Sequence, residues 1–150
     1  MLKRMCPVLK LTISQVSNRL PGMAARTRGL LSGVVSRIAL ETAAEAEANT
    51  SRVDTGAMQA GWFAVTPDGS DFEQVAERAL SLRPEGQVVE KPALGEAGTE
   101  ALIGNVMDYS IFNEMGTVHM EASPMLIPAM EAAEEPLTQA VKTAVEKAAR

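Results

Sequence analysis

The sequence predicts an α+β domain: a long N-terminal helix and a C-terminal helix packed on a small, mostly antiparallel sheet, preceded by an extended basic N-terminal arm. Three observations predict it. Residues 23–51 and 126–148 repeat apolar side chains every three or four positions, the period of a helix buried on one face. The short apolar runs Trp62–Thr66 and Glu100–Asn105 are bounded by turn residues, as strands are. Residues 1–22 show no strong period and carry only basic charge.

In chain order, Leu9, Leu11 and Ile13 alternate with polar residues, which suits a short strand or an extended arm. Pro21-Gly22 is expected to end it. The first helix places Leu30, Leu31, Val34, Val35, Ile38 and Thr42 on one stripe, with Glu41, Glu45 and Arg37 mostly away from it. Gly29 and Gly33 weaken this helix relative to Ala, and they also permit close approach by another helix. Asn49-Thr50-Ser51 reads as its exit. Pro67-Asp68-Gly69 is a turn signal after the strand at Trp62–Thr66. Phe72, Val75, Ala76, Ala79 and Leu80 predict a second helix over 71–82, with Ser70 as N-cap and Glu73 completing a capping box. Residues 87–90 are a candidate strand. Residues 91–98, holding Pro92, Gly95 and Gly98, are expected to form a mobile loop. The terminal helix tolerates Pro128 in its first turn, and Pro136 is expected to kink or restart it. Lys142, Lys147 and Arg150 suit the negative end of its dipole. The expected organisation is an arm over 1–22 and one domain over 23–150.

Between the last strand and the last helix lies the most punctuated stretch, residues 105–129. Tyr109, Phe112 and Met115 fall one helical turn apart and are expected to anchor a short turn to the core. Gly116-Thr117 breaks that turn. Residues 118–121 are expected to stay exposed as a contact surface. Ser123-Pro124 reads as a helix start, Ser as N-cap and Pro at the first helical position.

Composition narrows the class. The chain has 150 residues, 46% hydrophobic but only 3% aromatic, so the core must be built from small aliphatics and nine Met. A core this thin suggests that a partner surface completes the fold. The single Cys6 excludes an intramolecular disulfide and a Cys-based zinc site. No run has the apolar length of a membrane span. The first ten residues are basic, but Pro7 breaks their short apolar run, so no signal peptide is expected and a cytosolic origin follows. Charge is split: residues 1–40 hold seven basic residues and no acid, while the remainder holds seven basic residues against all 19 acids. Lys3, Arg4, Lys10, Arg19, Arg26 and Arg28 are therefore candidates for contact with DNA phosphates or with the acidic face of a neighbouring copy.

Two places invite a catalytic reading. Asp54-Thr55-Gly56 is similar to the signature of aspartic proteases, where two such aspartates share a proton across a homodimer. Leu102-Ile103-Gly104 resembles a later hydrophobic-hydrophobic-Gly element of those enzymes. The polar, helix-forming run before Asp54 instead favours a helix-to-strand turn, with Asp54 and Thr55 capping backbone donors. His119, with Glu114 and Glu121 nearby, lacks the further ligands of a metal site and reads as a surface residue. No nucleophile elbow, phosphate loop or second His is present, and no cofactor is expected.

The order of these motifs resembles the neck, or tail-component, proteins of long-tailed bacteriophages, close to the minor tail protein Z type. That family has a long N-terminal helix and then a Thr-Gly turn leading to a small residue with an aromatic. Here these are Asp54, Thr55 and Gly56, followed by Gly61 and Trp62. It then has Tyr-Ala, an acid and Gly-Thr, matched here by Tyr109-Ser110, Glu114, Gly116 and Thr117. It opens its last helix with Ala-Arg-Pro-Phe-Leu-x-Pro-Ala, matched by residues 122–129 with Pro124, Leu126 and Pro128 in place. Gln59 stands where a basic residue is usual, Ser123 replaces Arg, and Met125 replaces Phe. The match covers about residues 25–148, apart from residues 66–100.

The resemblance implies a non-enzymatic structural protein of the virion, assembled in the host cytoplasm. It implies a ring of roughly six or twelve copies at the head–tail junction or the top of the tail, surrounding the DNA channel. The implied partners are copies of the chain and neighbouring connector, head-completion, tail-terminator or tail-tube proteins. Packaged DNA would be touched non-specifically, and no membrane is involved. A tail-terminator ring is the alternative within the virion, and a homodimeric aspartic protease using Asp54 is the alternative of another class.

Overall fold

A computed structural model describes residues 9–12, 21–52 and 54–150. The fold is α+β, with a long N-terminal helix and a C-terminal helix against a small antiparallel sheet. Strand β1 (Leu9–Thr12) is followed by helix α1 (Pro21–Asn49). A 3-10 turn over Gln59–Gly61 leads into β2 (Trp62–Thr66) and the two-residue β3 (Gly69–Ser70). Helix α2 (Phe72–Leu82), strand β4 (Glu100–Asn105), helix α3 (Ser110–Met115) and helix α4 (Leu126–Ala148) complete it. The strand order is β1-β4-β2-β3, every neighbour antiparallel. The arm's Lys3, Arg4 and Arg19 lie outside the described residues, and Lys10 is placed by its backbone only, within β1 opposite Leu102.

The two central strands lack the apolar/polar alternation of a half-exposed strand because both of their faces are buried, with polar residues only at their ends. Alternate side chains sort to opposite sides. Trp62, Ala64, Ala101 and Ile103 join Val35, Ala39, Ala43 and Ala46 of α1 and Leu126 and Ala129 of α4 in one core cluster. Phe63, Val65 and Leu102 join Phe72, Val75 and Ala79 of α2 in the other. Phe63 meets Phe72 edge-on, ring centroids 4.9 Å apart, a pairing worth about 1 kcal/mol beyond its burial. The buried stripe of α1 is richer in Ala than expected. Leu30 and Val34 are only half-buried, while Ala39, Ala43 and Ala46 are buried and let α4 approach closely. At the end of α1, Trp62 Nε1 donates to Thr50 Oγ1 at 2.9 Å, so the single Trp ties β2 to the helix exit.

Several local expectations are corrected. Helix α1 opens at Pro21, two residues before the expected start at residue 23, as the fixed φ and missing N–H of Pro allow in a first helical turn. The boundary residue of α2 is Asp71 rather than Ser70, but Ser70 supplies the cap bond, its Oγ accepting from Phe72 N at 3.2 Å. Asp71 caps nothing, and its Oδ1 accepts from Ala64 N at 2.9 Å. Glu73 completes no capping box, because Lys91 Nζ donates to it at 2.6 Å and holds its carboxyl below the usual carboxylate range. Residues 87–90 form no regular strand; Val88 bridges Met107, Val89 N donates to Val106 O at 2.8 Å and Gln87 O accepts from Asp108 N at 3.2 Å. Residues 91–98 have no regular structure, but Leu94 packs on the second core cluster and Gly95 N donates to Glu100 Oε2 at 3.2 Å. Helix α4 runs through Pro136 as one element rather than restarting there.

Candidate assembly surface

Helix α4 starts at Leu126, and its cap is neither Ser123 nor Pro124. The cap is Glu114, eleven or more residues upstream at the end of α3. Glu114 Oε2 accepts from Met125 N at 2.7 Å and Leu126 N at 3.1 Å, and Oε1 accepts from Ile127 N at 2.9 Å. The next residue, Pro128, has no N–H. One carboxylate therefore satisfies the free donors of this helix start, which would otherwise need separate partners. Glu114 is 7% exposed. Burying a charge is unfavourable unless it is paired, and three charge-assisted hydrogen bonds at the positive end of a helix dipole supply that pairing.

The chain between Glu114 and Met125 is closed on itself. Ser123 N donates to Asn113 O at 2.7 Å. Gly116 has φ +74° and ψ 175°, a conformation open essentially to Gly alone. A Cβ there would lie 2.8 Å from Ala122 N and 2.9 Å from Met120 O, both backbone atoms that cannot yield cheaply. Thr117 and Met120 exchange backbone bonds of 2.7 and 3.3 Å, so Val118 and His119 form the tip of a tight turn. The end of α1 is stitched to the same stretch. Asn49 Nδ2 donates to Met125 O at 3.1 Å, Arg52 Nη1 donates to Glu121 O at 2.8 Å, and the Ser51 and Ser123 hydroxyls lie 3.2 Å apart.

The Asp54-Thr55-Gly56 motif is a turn on this side of the molecule. Thr55 Oγ1 accepts from Ala57 N at 3.3 Å, Gly56 O accepts from Ala60 N at 2.8 Å, and Gly56 has φ +82°. Asp54 and Thr55 are exposed. They share an open concavity of about 330 Å³ with Arg52, Arg83, Tyr109 and Asn113. The Arg83 guanidinium stands over the Tyr109 ring, 4.8 Å from its centroid. Tyr109 packs half-buried against both core clusters.

Of the three residues expected to anchor the turn, Tyr109 alone does so. Phe112 is 55% exposed and Met115 68% exposed, because Glu114 claims the inward face of the single turn of α3. Val118 is 97% exposed at the tip. Glu114 and His119 share no site: Glu114 is spent on α4, His119 is exposed, and no group of potential metal ligands occurs among the described residues. Pro124 is exposed in the loop, and Leu126 is buried in the first core cluster. Arg26 and Arg28 are exposed on the first turns of α1, far along the helix from the Asp54 turn. Arg52, Arg83 and Asn105 escaped the sequence reading. Asn105 is fully buried, its Nδ2 donating to Met58 O at 2.7 Å and its Oδ1 accepting from Met107 N at 3.0 Å. Its place at the end of an apolar run was the available signal.

The arrangement offers a hydrogen-bonded, partly apolar surface with Phe112, Met115 and Val118 exposed. No family model, no curated protein and no solved structure matches the chain.

Proposed function

We propose that the chain is a structural protein of a long-tailed phage virion, forming a ring at the head–tail junction or the top of the tail. The reading rests on the ordered resemblance to neck and tail-component proteins. One observation supports it further. The motif segments around Asp54, Tyr109–Thr117 and residues 122–129 converge at the junction of α1 and α4. They are fixed there by hydrogen bonds, yet leave Phe112, Met115 and Val118 exposed. Exposed apolar side chains on a rigid frame suit a surface that another protein covers. In this role Glu114, Gly116 and Trp62 hold the frame, and the exposed residues meet neighbouring subunits.

Electron microscopy of the purified chain tests the proposal. Closed rings with an open centre are expected. For the protease alternative, acid-pH proteolysis lost on Asp54→Asn would overturn the structural reading.

A further inference from the structure

The two long helices form a layer whose charge is divided end from end. The Asn49–Met125 hydrogen bond joins the end of α1 to the start of α4. One groove between them is lined by Glu45 and Ile38 of α1 and by Ala129 and Pro136 of α4. The pair is therefore antiparallel, and the last turns of α4 lie beside the first turns of α1. Near the Asn49–Met125 junction stand six carboxylates, Glu41, Glu45 and Glu47 of α1 and Glu131, Glu134 and Glu135 of α4, with no cation among residues 38–49 and 126–141. Towards the other end stand Arg26 and Arg28 of α1 and Lys142, Lys147 and Arg150 in and just after the last turns of α4, with Glu146 the one acid there and Arg37 midway along α1. Arg28 and Glu45 are separated by roughly 25 Å along the helix at 1.5 Å per residue. That exceeds the screening length of physiological salt, about 8 Å, so the two ends act as separate patches.

Antiparallel packing has put like charges side by side. Among the described residues, Glu47 is the only one of these groups in an ion pair, with Arg78 at 4.0 Å. Glu41 and Glu45 rim one groove of the pair, and Glu131 and Glu134 rim another, floored by Met130, Ala133 and Leu137. The acidic end thus carries two apolar grooves, each with an anionic rim. The basic end has the complementary form. Gly29 and Gly33 lie one turn apart on exposed helix, and among the described residues a Cβ at either would meet nothing within 4 Å. No contact with the described residues requires either Gly, and each weakens the helix. Together they leave a flat strip flanked by Arg26, Arg28 and the half-buried Leu30.

We propose that the groove rimmed by Glu131 and Glu134 on the α1–α4 pair receives the basic first turns of α1 from a second copy. The strip at Gly29 and Gly33 lets that helix approach closely, and the flanking arginines meet the glutamates. Such a contact joins different patches on the two copies and can repeat, closing into a ring when the rotation permits. The inference rests on the ring reading for the expectation that copies associate, and names the surface through which they do.

Complementary charge reversal tests it, with particle mass followed against concentration by sedimentation. One variant carries Glu131→Lys, Glu134→Lys and Glu135→Lys; the other carries Arg26→Glu and Arg28→Glu. All five positions are exposed, and circular dichroism verifies that both variants are folded. Each variant alone should need at least tenfold higher concentration than the parent chain to associate. An equimolar mixture should regain association, and 1 M salt should weaken the parent. Reversals that leave association unchanged, or a mixture that stays monomeric, overturn the proposal while leaving a ring intact. A parent that stops at two copies, yet responds to the reversals, keeps the acid-to-base contact and overturns the ring. A parent monomeric at every concentration overturns both.

Discussion

Glu114 and Ile127 are joined across thirteen residues by a hydrogen bond of 2.9 Å, from Ile127 N to Glu114 Oε1. The same carboxylate holds Met125 N and Leu126 N. The short helix α3 thereby becomes the cap of the long helix α4. The start of α4, the bend at Gly116 and the tip at Val118 are in this way one mechanical unit.

Glu114→Ala leaves three buried or half-buried donors without a partner. A loss on the order of 3 kcal/mol is expected, or roughly 10 °C in Tm for a chain of this size. Glu114→Gln keeps an acceptor but loses the charge opposite the helix dipole, and should fall between the two. Thermal unfolding followed by circular dichroism measures both. Equal stability of Glu114→Ala and the parent would mean that water caps α4 as well as Glu114 does.

Gly116→Val forces a branched side chain into a Gly-only conformation and into contact with Ala122 N and Met120 O. Gly116→Ala meets the same two atoms. Losses of at least about 2–3 kcal/mol are expected from both, read from urea unfolding midpoints. A Gly116→Val chain that folds and assembles normally would show that the bend is dispensable.

Phe112→Ser and Val118→Asp should separate folding from assembly. Both side chains are exposed, so stability should change by no more than about 0.5 kcal/mol. Particle mass, in contrast, should fall. Unchanged mass for both variants would remove this surface from the contact.

The strands at Trp62–Thr66 and Glu100–Asn105 and the helices α1, α2 and α4 were legible because burial imposes a period on their side chains. Residues 87–90 were not, since a few contacts with residues 106–108 decide their structure and leave no periodic trace. The spacing of Tyr109, Phe112 and Met115 rightly put them on one turn but could not say which face looks inward. Glu114 took that face. Its role was hidden because capping is usually local, and Ser123-Pro124 supplied a plausible local start that the distant carboxylate outcompetes. The Asp54 turn was read correctly as a turn, whereas its meeting with Arg83 and Tyr109 depends on long-range packing.

The mass of the purified particle by native mass spectrometry tests the central claim most directly. Assembly into a ring predicts one dominant species at a fixed multiple of the 15.9 kDa chain, on the order of six or twelve copies. A particle of one or two copies at every concentration would contradict it.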